Sequence, residues 1–170
     1  IFFAAPTMAT ANGLLLERTI EWASNNSIDS VRSMYLAHSK NVLSEPYRQL
    51  KFSQIGKDSG EGGGVIASQW MSGRRLGLLS NFVVGTVDQV LMMALQQRFH
   101  MLRHVGLAGK VIIFDEVHSF DVYTSDYLQR TIEWLGYYGA SVILMSATLP
   151  PDKRRSLVQA YSCASWPDEE

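Results

Sequence analysis

Val111–His118, VIIFDEVH, is the stretch from which the rest of the chain can be read. Its four apolar residues leave no polar face, the mark of a strand buried on both sides rather than half in water. Asp115, Glu116 and His118 follow at once. A carboxylate at the end of a buried strand costs desolvation free energy unless a cation meets it. An Asp there suits the Mg²⁺ of a bound nucleotide. Its neighbour Glu116, aimed at a terminal phosphate, suits a general base that polarises the attacking water. His118 is set to sense the phosphate state and relay it.

The same strand grammar recurs on both sides. Short runs rich in Val, Ile and Phe predict strands at Ile1–Ala5, Ser33–Ala37, Phe82–Gly85, Val111–Asp115 and Ser141–Ser146, with a further one around Val65–Gln69. Helical segments lie between them. One spans about Ala11–Ser24. A second runs from a capping box of Thr86 and Gln89 to about Arg98. Asp121 can cap a third, in which Leu128, Ile132 and Leu135 share a face and Gly139 lies near the end. Pro151 suits the first turn of a last helix reaching about Tyr161. Strand alternating with helix predicts an α/β fold with a mainly parallel sheet flanked by helices, whose ligands bind at the carboxyl ends of the strands.

Three further motifs fall at those ends. Ser146, Ala147 and Thr148 (SAT) close the strand after DEVH, where small hydroxyls can hydrogen-bond the DEVH side chains and couple to them. Pro6–Thr10 (PTMAT) and Gly85–Gln89 (GTVDQ) each join a strand to a helix start, and their backbone N–H groups and threonine hydroxyls suit a phosphodiester. Two such junctions on neighbouring strands make a track for one nucleic-acid strand.

These four motifs, in this order, resemble the first RecA-like lobe of superfamily 2 DExH helicases. With LAHS (36–39), WMSGRR (70–75) and LAGKVIIFDEVHSFD (107–121), the chain more narrowly resembles the CRISPR-associated helicase–nuclease of type I systems (Cas three), in its type I-E-like branch. The resemblance implies an ATP-dependent 3′–5′ single-stranded DNA translocase that unwinds and helps degrade foreign DNA in antiviral defence. ATP and Mg²⁺ would be its cofactors. Asp115 (through Mg²⁺) and Glu116 would be catalytic; His118, Ser146 and Thr148 would couple hydrolysis to movement. Pro6, Thr7, Thr10, Gly85, Thr86 and Asp88 would lie along single-stranded DNA. Implied partners are the second RecA-like lobe and HD nuclease domain of the same protein, and the CRISPR RNA-guided surveillance complex. Other readings are a different DExH helicase acting on DNA or RNA, or a RecA-like binding module that does not hydrolyse ATP.

Departures from the family pattern set the expected boundaries. No G-x-x-x-x-G-K-[ST] loop occurs, and Gly109-Lys110 runs into the strand rather than into a helix. The chain opens on IFFAAP rather than Met, so it is expected to be part of a longer protein, beginning downstream of that loop and inactive alone. Residues 1–162 are expected to form a partial helicase ATP-binding domain and 163–170 an acidic tail or linker. Ile55–Gly64 (IGKDSGEGGG) reads as a polar, glycine-rich loop.

Composition narrows the classes. A length of 170 residues fits one domain, and the formal charge of −1 gives no global field for nucleic acid, so binding must come from local groups. Cys163 has no partner for an internal disulfide, which suits a reducing cytoplasm. No apolar run approaches the ~18 residues that a membrane span needs. His38, His100 and His104 read as structural or surface residues rather than metal ligands. Arg74-Arg75 and Lys153-Arg154-Arg155 read as solvated surface, and Trp22, Trp70 and Trp134 as core or domain-interface residues.

Overall fold

The computed structural model describes residues 1–13, 18, 32–37, 65–66, 76–95 and 100–162. The loop 55–64, the tail 163–170, His38, Trp22, Trp70 and Arg74-Arg75 lie outside the described residues. The strands are β1 (Phe2–Ala5), β2 (Arg32–Ala37), β3 (Val65–Ile66), β4 (Phe82–Thr86), β5 (Ile112–Phe114) and β6 (Val142–Leu144). The helices are α1 (Met8–Gly13), α2 (Val87–Leu91), α3 (His100–Ala108), α4 (Val122–Tyr137) and α5 (Pro151–Ser162). Short 3-10 turns cover Leu76–Leu79, Met92–Ala94 and Val117–Ser119.

The strands form a parallel sheet in the order β3-β2-β4-β1-β5-β6, so the α/β expectation holds. β1 is central. Phe2, Ala4 and Ala5 are fully buried, with β4 on one side and β5 on the other. Burial on both faces fails at β6, where Ile143 is 47% exposed. Among the described residues this strand pairs on one side only, with β5. Its VIL reads like the other strands, because a run of apolar residues does not encode how many neighbours it has.

The helix ends follow the chemistry in part. Asp121 Oδ1 accepts from Thr124 N at 2.7 Å and starts α4, and Gly139 takes a φ of +62° just past its end. Leu128, Ile132 and Leu135 of α4 are buried together, each full burial contributing about 1.5–3 kcal/mol. The Thr86–Gln89 capping box does not form. Thr86 makes no side-chain cap bond, and Gln89 Oε1 instead accepts from Arg103 Nη1 at 3.3 Å. The helix expected to reach Arg98 is only Val87–Leu91. It tightens into the Met92–Ala94 turn and gives way to extended backbone at Leu95. α1 begins at Met8 rather than Ala11, because Thr7 Oγ1 accepts from Thr10 N at 3.2 Å and so caps it.

Candidate nucleotide and nucleic-acid site

Because the strands are parallel, their carboxyl ends share one edge. Register pairs Ala5 with Thr86, Ala4 with Phe114, and Phe114 with Leu144. That brings Pro6, Thr86, Asp115 and Ser146 to a single rim, as the motif spacing predicts.

DEVH is held on this rim by main-chain bonds. Asp115 N donates to Ala4 O at 3.0 Å, and Val117 N donates to Met145 O at 3.1 Å, tying the strand end to both neighbours. Asp115 is half-buried and Glu116 is exposed. Glu116 sits at φ 56° and ψ 40°, the only residue other than glycine with positive φ among the described residues. Such a conformation costs about 1–3 kcal/mol and persists where the surroundings enforce it. Here Ser119 does so, donating from both N and Oγ to Glu116 O at 2.8 Å. The twist turns the Glu116 side chain onto His118, with Oε2 3.1 Å from Nε2.

The other nitrogen of His118 faces SAT. Ala147 N lies 3.4 Å and Ser146 Oγ 3.5 Å from Nδ1. A backbone N–H can only donate, so Nδ1 accepts and the proton of the neutral ring sits on Nε2, toward Glu116. Glu116, His118 and the Ser146–Ala147 segment thus form one chain of contacts. Thr148 enters through its main-chain carbonyl, which accepts from Ser146 Oγ at 2.7 Å, rather than through the hydroxyl that the sequence singles out.

On the other half of the rim, Thr7 and Thr10 share a hydroxyl–hydroxyl bond of 2.9 Å. Two hydroxyls joined by one bond keep one proton for an outside acceptor. Gly85 has a packing reason to be glycine. A Cβ there would lie 2.5 Å from Ala37 O, so β4 can approach β2 only without a side chain. Thr86 is buried and Asp88 exposed, both beside a cavity of about 460 Å³.

No protein-family profile matches the chain. The CRISPR-associated nuclease/helicase Cas3 of Streptococcus thermophilus is 43% identical over 177 aligned residues, covering 100% of this chain and 19% of that protein. The CRISPR-associated endonuclease/helicase Cas3 of Thermus thermophilus is 39% identical, covering 95% of this chain and 18% of that protein. Among solved structures, T. fusca Cas3-ATP matches at a TM-score of 0.78 and 35% identity, over 99% of this chain and 18% of that one. Over its whole length the chain is similar to one segment of Cas3 nuclease/helicases. It spans about a fifth of the length of the curated relatives it matches. A chain of a CRISPR RNA-guided surveillance complex, pre-nicking, matches at a TM-score of 0.53 and 28% identity, over 99% of this chain and 18% of that one.

Three features of this chain correct the reading of its sequence or add to it. Lys153 does not extend a basic surface patch: its Nζ donates to Ser125 Oγ at 3.0 Å and Val117 O at 3.4 Å, bracing the DEVH turn from α5. Arg155, by contrast, makes an exposed 3.6 Å pair with Asp152, in keeping with solvated surface. His100 and His104, four apart on α3, have a spacing able to hold a metal. His104 is instead committed to the core, with Nδ1 2.8 Å from Tyr138 Oη and Nε2 3.1 Å from Met93 O. Trp134 packs edge-on against it at 4.9 Å while 42% exposed. No cluster of three or more metal-ligating side chains occurs among the described residues, and none of their helices is long and apolar enough to cross a membrane. Finally, Tyr123 and Tyr127 stand one helical turn apart at the start of α4, beside the cavity. Their i, i+4 spacing just after DEVHSFD was the available signal.

Proposed function

We propose that the chain is the segment of a Cas3-type helicase that carries Mg²⁺–nucleotide and DNA-track residues, within an ATP-dependent 3′–5′ single-stranded DNA translocase of CRISPR interference. The observation that carries this reading is the contact chain Glu116–His118–Ser146/Ala147 on the carboxyl rim of a parallel sheet. The donor set fits a nucleotide-borne Mg²⁺, which takes one or two carboxylates plus phosphate oxygens rather than an all-protein cage. Asp115 would hold the ion, and the ion would neutralise charge on the phosphates.

The rest falls to this chain's own side chains. Glu116 holds and orients the attacking water and takes its proton. His118 keeps its Nε2 proton toward Glu116, so a change in the carboxylate's charge or position alters the ring's hold on Ala147 N. That movement is transmitted along β6. The remaining hydroxyl proton of the Thr7–Thr10 pair, together with Thr86, would meet the DNA backbone. The second lobe, the HD nuclease domain and the surveillance complex are the partners this reading implies, in the cytoplasm. The test is DNA-stimulated ATPase of the full-length protein: Asp115→Ala abolishes it, and unchanged turnover would overturn the assignment.

A further inference from the structure

The cavity of about 460 Å³ beside Thr86 is unlike the rim around it. Among the described residues its lining carries Asp88 and no Lys or Arg, so it disfavours phosphate relative to a neutral group. Met8, Met92 and Leu95 give it an apolar floor, with Tyr123 and Tyr127 at its side. Tyr123 is 68% exposed, so its ring is open to a ligand on this side. The two rings lie 4.7 Å apart at 65°, and their hydroxyls hydrogen-bond at 2.9 Å, so the Tyr123 platform is held in place before any ligand arrives. Preorganisation of this kind lowers the entropy lost on binding.

A planar ligand with apolar faces, a polar edge and no charge fits these walls. The geometry points to a nucleobase pocket, in which one base of the single-stranded DNA turns out of the phosphate track, stacks on Tyr123 with Tyr127 behind it, and offers an exocyclic amine to Asp88. This rests on the DNA-track reading above. A carboxylate accepts from the amino groups of cytosine, adenine or guanine, and thymine has none, so the pocket prefers amino-bearing bases. The acidic residue in GTVDQ thus has a role that backbone binding does not give it: it excludes phosphate and reads the base edge.

The test uses the full-length protein and fluorescent single-stranded oligonucleotides in an anisotropy titration across a salt series. Tyr123→Ala weakens binding roughly tenfold, the size expected for one lost base stack, and leaves the dependence of affinity on salt unchanged because no phosphate contact is removed. Tyr123→Phe keeps the ring and binds within about twofold of the parent. An abasic nucleotide at the pocket position costs the parent the same factor and costs Tyr123→Ala nothing more. Asp88→Asn narrows the gap between oligo-dC and oligo-dT. If Tyr123→Ala binds like the parent while Thr86→Ala is weakened, the pocket is empty of DNA and the inference falls, though the track stands. If Tyr123→Ala lowers the salt dependence, or changes ATPase without changing DNA affinity, the rings serve the backbone or a neighbouring domain, and the inference is again overturned. Absence of any binding by the parent protein would remove the track and the pocket together.

Discussion

The rim has two halves built on different principles. At β5–β6 the candidate groups contact one another: Glu116 Oε2 meets His118 Nε2, His118 Nδ1 accepts from Ala147 N, and Ser146 Oγ donates to the Thr148 carbonyl. At β1–β4 they mostly do not. Thr7 and Thr10 keep a proton in reserve, Thr86 makes no cap bond, and a cavity opens beside Asp88. A wired half transmits a small displacement because each contact has a partner to move. An open half receives a ligand because its polar groups are left for the ligand to satisfy. The wired half spends backbone strain at Glu116, whereas the open half spends packing precision at Gly85.

The sharpest way to break this division is to cut the wire at its two ends in the full-length protein. On the proposed reading Glu116→Gln removes the general base, and DNA-stimulated ATPase falls by about 10²–10⁴-fold with nucleotide affinity retained. His118→Ala keeps the base but removes the link to Ser146 and Ala147, so strand unwinding falls further than ATPase does. Equal losses of both activities in His118→Ala would make the histidine part of the hydrolytic chemistry rather than a coupler.

What was legible beforehand also follows this division. The strands of DEVH and SAT and the parallel sheet were readable because buried strands are apolar without alternation and polar motifs sit where they end. The contact of Glu116 with His118 was not, since it depends on a left-handed backbone that no glycine announces. Gly85 carried a sequence signal for nucleic acid, yet its neighbour Ala37, 48 positions away, supplies a packing reason for it. The Thr86 cap failed for a similar reason: Arg103 Nη1, on α3, competes for Gln89 and bonds its main-chain oxygen at 2.8 Å as well. Contacts between separate elements decide the Gly85 and Thr86 cases, and local patterns do not contain them.

Gly85 gives the next test of the open half. Its would-be Cβ meets backbone, Ala37 O at 2.5 Å, which cannot rotate away. Gly85→Ala therefore costs about 3 kcal/mol, the upper end for overpacking, and lowers the urea midpoint. The DNA affinity of the fraction that stays folded changes little. A stable variant with selectively lost DNA binding would return Gly85 to the ligand track.

His104 supports the same half from behind, and its effect is smaller but carries a pH signature. By holding Met93 O it fixes the turn that supplies Met92 and Leu95 to the cavity, and through Tyr138 it fastens that turn to the end of α4. His104→Phe strands both partners and costs about 2 kcal/mol. In the parent, burial holds the His104 pKa below the usual 6.5; the Met93 bond pulls the other way and His100 adds to the lowering. The unfolded chain therefore takes up this proton more readily. The stabilising contribution is complete above about pH 6.5 and is lost as pH falls from there toward the depressed folded value. Thermal melts of the parent should decline across that window, and His104→Phe should lack that part of the slope. Amide exchange should show where the loosening occurs. The Met92–Ala94 turn and α3 open first, while Val117–Ser119, tied to Met145 and braced by Lys153, stays protected. If acid opened the DEVH turn first instead, the wired half would be the softer one, and the contrast between the halves would have to be reversed.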